Sequence, residues 1–70
     1  MDFFVQKVMD AARMLEIATS RLEYGDEASS IRLCALANEI LAPFNLQPTF
    51  DASDTTYKIK MKDPVEQETN

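Results

Sequence analysis

Few residues in this chain have chemical reach. Lys58, Lys60 and Lys62 stand at every second position, Cys34 is the only cysteine, and the 70 residues include no histidine. Triads and general bases that depend on imidazole are therefore absent. With Gly25 as the single glycine, a glycine-rich phosphate loop is excluded. The carboxylates are scattered. Glu16 and Glu23 share a helix face with Arg13 nearby, the pattern of a solvated surface rather than of hydrolytic or metal chemistry. One cysteine without histidine argues against a structural zinc site and makes no intrachain disulfide. A reactive thiol needs a cationic neighbour, and Arg32 falls elsewhere on the helical wheel. Cys34 is expected as a small hydrophobe on the flank of an apolar face. No catalysis, cofactor or metal is expected.

The lysine row is the most suggestive charged feature. It reads either as a basic strip meeting an acidic protein or a phosphate backbone, or as charges that stop an exposed strand from pairing edge to edge. A net charge of −5 weighs against general nucleic-acid binding and favours the second reading. Other contact candidates are apolar. Phe3, Met9 and Ile17 lie off the main helical stripe, and with Val5 they would form a patch of the kind that marks an interface. Tyr24, at the tip of a turn, is a further candidate anchor.

These residues sit on elements with clear periodicity. Phe4, Val8, Ala11, Leu15, Ala18 and Leu22 recur at spacings of four and three, one stripe of a helix over residues 2–23 with Asp2 at its start. Gly25 is placed to end that helix in a left-handed conformation, and Asp26 to begin the next. The second helix, 27–42, stops at Pro43. Its apolar face runs from Leu36 through Leu33, Ile40, Phe44 and Ala37 to Leu41 and Cys34, about 160° by the wheel. That is wider than one antiparallel partner covers, so two neighbours are expected, one of them from a second copy. Beyond Pro43 the period changes to two. Tyr57, Ile59 and Met61 alternate with the lysines, giving a half-buried strand over about 55–62. A preceding strand at about 46–50 carries Pro48, which restricts it to an edge. The polar, acidic stretch 63–70 is expected to fray.

The expected fold is one small α+β domain over 1–62, mainly α. An antiparallel two-helix hairpin is followed by a short β-hairpin or strand. A chain this short hides only about 60% of its unfolded surface. With disulfide and zinc set aside, a homodimer with a four-helix core is expected, its interface on Leu33, Ala37, Ile40, Leu41 and Phe44. The apolar runs are too short for a membrane span. The start of the chain shows no basic leader, and the lone thiol suits a reducing compartment, so a cytoplasmic protein is expected. The function expected is a small non-catalytic protein–protein interaction module: an inhibitor, adaptor or anti-activator of another protein, in the manner of phage or mobile-element products acting on a host. Two other readings are a nucleic-acid-linked regulator using the lysine strand, and a small-ligand binder at a subunit interface.

Overall fold

The computed structural model describes residues 2–62. The acidic stretch 63–70, expected to fray, lies outside the described residues. Helix α1 spans Phe3–Glu23 and contains neither glycine nor proline. Asp2 stands just before it and accepts the Phe4 N–H at 3.2 Å, satisfying one of the donors that a helix start leaves free. The helix ends at Tyr24 and Gly25. The Gly25 N–H donates to the Leu22 carbonyl at 3.0 Å, and the Asp26 N–H reaches back to Arg21 at 2.8 Å. This pair of bonds requires a left-handed residue, and Gly25 supplies it at φ +84°. Asp26 then caps helix α2, Glu27–Leu41, by accepting the Ser29 N–H at 3.1 Å. The turn is so short that the two helices must lie antiparallel and adjacent.

Pro43 lacks the N–H that another helical turn would need, and α2 gives way to a 3₁₀ turn at Ala42–Phe44. Asn45, left-handed at φ 62°, turns the chain into strand β1, Leu46–Asp51. Strand β2, Thr56–Met61, returns antiparallel with Leu46 opposite Met61 and Asp51 opposite Thr56. The Lys62 N–H closes the base of this hairpin on the Asn45 carbonyl at 2.9 Å. Pro48 is tolerated because a two-stranded sheet has only edge strands.

The architecture is α+β, mainly helical: a helix pair with a two-stranded antiparallel sheet laid across one side. Strand β1 packs on α2 and β2 on α1. Ala11, Leu15, Ala37 and Leu41 form the buried centre, joined by Val8, Met14, Cys34, Ile40, Leu46, Tyr57 and Ile59. Ala11, Ala18 and Ala37 have no exposed surface, so α1 and α2 approach closely at small side chains. The second neighbour expected for the broad face of α2 is thus supplied by the chain's own hairpin. Met61 departs from the half-buried pattern expected of its strand. It shares a face with Tyr57 and Ile59 but stands at the end of the ladder, 70% exposed. No helix among the described residues is long and apolar enough to cross a membrane.

Candidate interaction face

The hairpin covers one side of the helix layer and leaves the other bare. On the covered side, Ala12, Leu15 and Thr19 of α1 meet Thr56, Tyr57 and Ile59 around a cleft of about 400 Å³. Ile31, Cys34, Ala35 and Asn38 of α2 line a second recess with Pro48 and Tyr57. The joint is fixed by one polar contact. The Ser30 hydroxyl, fully buried, lies 3.2 Å from the Tyr57 hydroxyl. A buried hydroxyl without a partner costs free energy, so this pair favours one seat for β2 on the helices. Across the strands, Phe50 and Tyr57 meet edge to face at 5.1 Å.

On the bare side a groove follows the α1–α2 seam. One half is a cleft of about 500 Å³ lined by Phe3, Lys7, Met14, Leu36, Glu39, Ile40, Pro43 and Phe44. The other half is lined by Ile17, Arg21, Asp26, Ser29, Arg32, Leu33 and Leu36. Leu36 belongs to both halves, which makes them one continuous surface. Its apolar side chains stay in solvent: Phe3 is 67% exposed, Leu36 44% and Ile17 43%. Phe44 closes one end, with Phe4 edge-on at 5.0 Å and Phe3 tilted at 6.3 Å. The Lys7 ammonium lies over the Phe3 ring, 5.4 Å from its centre.

The contact residues expected from sequence divide among several places. Phe3 and Ile17 come together on the bare groove. Met9 is exposed on a different side of α1, and Tyr24 stands alone at the turn, 83% exposed. The lysine row is not one uniform strip. Lys58 is held at the hairpin tip, donating to Asp54 at 3.0 Å with Asp51 at 3.8 Å. Lys60 is exposed on β2, and Lys62 falls past the last residue of the strand. Of the proposed dimer residues, Ala37 and Leu41 have no exposed surface, because α1 and the hairpin already cover them. No second copy can reach them on the folded chain. Leu33, Ile40 and Phe44 line the bare groove and remain partly open.

The charged tip explains its own order. Asp51 accepts the Ser53 N–H at 3.0 Å and the Ser53 hydroxyl at 2.6 Å, and these bonds hold its carboxyl below the usual range. Asp54 is lowered by the Thr56 hydroxyl at 2.7 Å and then by Lys58, which is raised in turn by Asp54. These bonds flank Thr55, a β-branched residue held left-handed at φ 58°. Burial pushes the Cys34 thiol up, away from the thiolate that nucleophilic chemistry needs. Among the described residues, no cluster of three or more His, Cys, Asp or Glu is placed to hold a metal.

Sequence reasoning missed two features of this face. Leu36 was counted as the rim of a buried face and is instead the centre of an open one. Phe44 also forms an aromatic cluster with Phe3 and Phe4, a contact within the chain that the helical pattern does not announce. The signal for the second was present, since Pro43 stops α2 one turn before Phe44 and swings it toward the start of α1. No family model, no curated protein and no solved structure matches this chain.

Proposed function

We propose that the chain is a small non-catalytic protein–protein interaction module, one that binds and modulates another protein through the bare side of its helix pair. The observation that carries this reading is the continuous groove in which Phe3, Ile17 and Leu36 remain in solvent although the chain has few places to bury apolar surface. Contiguous apolar surface with a charged rim is typical of protein interfaces. The rim here is Lys7, Arg21, Arg32 and Glu39. Support also comes from the thin core. Of the five buried hydrophobic residues among those described three are alanines, which leaves stability to be gained from further burial on a partner.

The test is affinity capture from cell extract with wild-type protein, with Leu36→Glu and Ile17→Glu, and with Lys60→Ala. A partner retained by wild type and Lys60→Ala but lost by both groove variants is the expected result. A partner indifferent to the groove and lost with Lys60→Ala would move the activity to the hairpin.

A further inference from the structure

We propose that the bare groove is closed by a second copy of this chain, docked antiparallel with α2 crossing its counterpart at Leu36. This rests on the groove being an interaction face and names what fills it in the free protein; another protein binds there in exchange for the second copy.

The argument comes from the order of charge along α2. Arg32, Leu36 and Glu39 follow one another at spacings of four and three, so they form a single stripe along the helix. The stripe runs positive, apolar, negative. A two-fold axis through Leu36 lays each Arg32 beside the partner copy's glutamate and each leucine against its equivalent. That is the self-complementarity a two-fold interface requires, where the contact of one residue with another is repeated in reverse. Neither Arg32 nor Glu39 has an ion-pair partner within 4 Å among the described residues.

Two of the other groove charges are already engaged. Lys7 lies over the Phe3 ring, and Asp26 caps α2. Overall charge fits as well. The chain carries −5, yet the groove is lined by three cations and two acids, so the acidic excess that would hold two copies apart is not concentrated on this face.

Size is adequate. Helices of 21 and 15 residues, at about 1.5 Å per residue and about 10 Å wide each, present roughly 500 Å² in plan. Side-chain relief raises the accessible area toward the ~800 Å² per partner of a standard interface.

The experiment is sedimentation equilibrium over a wide concentration range on the full chain. Wild type is expected at twice the 7.9 kDa chain mass. Leu36→Glu places two carboxylates at the axis and should weaken self-association more than about 100-fold. Arg32→Glu and Glu39→Arg should each weaken it about tenfold, and the double swap R32E/E39R should return to within about threefold of wild type. Leu36, Arg32 and Glu39 are exposed, so the variants keep the core, and circular dichroism checks this. Single swaps that weaken without rescue in the double overturn the antiparallel docking. A wild type that stays monomeric but binds an apolar dye lost in Leu36→Glu overturns the second copy and leaves the interaction face standing. A dimer unmoved by Leu36→Glu and by Ile17→Glu overturns both.

Discussion

The two sides of the helix pair are built from the same kinds of residue and differ in what covers them. On one side Tyr57 and Ile59 descend from the hairpin, and a buried Ser30 is matched by a hydroxyl. On the other, Leu36, Ile17 and Phe3 are left in water around the groove. The covered side has a polar contact that fixes position; the bare side has charges at its rim and apolar surface along its floor. One is organised as an interior and the other stays open to solvent, although α1 and α2 contribute to both.

This contrast can be broken first at the residue that serves the covered side most. Leu41 is fully buried between α1, α2 and the hairpin, and Leu41→Ala should cost about 2–5 kcal/mol. For a domain this small that consumes much of the total stability, and urea melts should show a largely unfolded variant. A paired substitution sharpens the comparison. Ile59→Ala should cost about 1–2 kcal/mol because it empties the hairpin seat. Leu36→Ala, measured on dilute protein, should stay within about 0.5 kcal/mol. Equal losses would mean that the bare side is as much a part of the single-chain core as the covered one.

The polar joint comes next. Tyr57→Phe keeps the ring and leaves the Ser30 hydroxyl without its partner, at a cost of about 1 kcal/mol. A double-mutant cycle with Ser30→Ala should recover most of that loss. Smallest is the response to pH. Asp51 and Asp54 sit below the carboxylate value of 3.8, so their contribution is complete above it and fades as pH falls through the lower folded values. Lys58 sits above 10.5, so its contribution is complete below that value and fades as pH rises through the raised one. Asp26 at the α2 cap is also lowered, mainly by its hydrogen bonds with Ser29. Acid should therefore loosen both the helix start and the hairpin tip, while alkali should loosen the tip alone. Methyl NMR of Ile59 against Leu33 across the two extremes would separate them.

What could be read beforehand followed from local rules. Asp2, Gly25, Asp26 and Pro43 act within a few residues of themselves, and each marks a boundary that the structure keeps to within a residue. The alternation of Tyr57 and Ile59 with the lysines likewise gave β2 its inward face. What could not be read is which side of the helix layer the hairpin takes. That choice depends on Ser30 meeting Tyr57 across 27 residues and on Asn45 adopting a left-handed turn, and neither leaves a periodic trace. For the same reason the sequence points to a second copy as the other neighbour of the α2 face, where the chain's own strands cover part of it. The pairing of Lys58 with Asp54 was hidden too, because it depends on the shape of the tip.

The Asn45 corner has a practical consequence for anyone attaching something to this protein. Phe4 packs on Phe44 where α1 begins, and Lys62 bonds to Asn45 where β2 ends. The described segment begins and ends at one corner, beside the Phe3 end of the groove and at the opposite end of α1 from the Gly25 turn. A group attached at Asp2 or Lys62 would crowd that corner. Tyr24, 83% exposed at the opposite end of α1, is the roomier place for attachment, whereas Gly25 beside it has open space for a Cβ but a φ of +84° that strains any other residue.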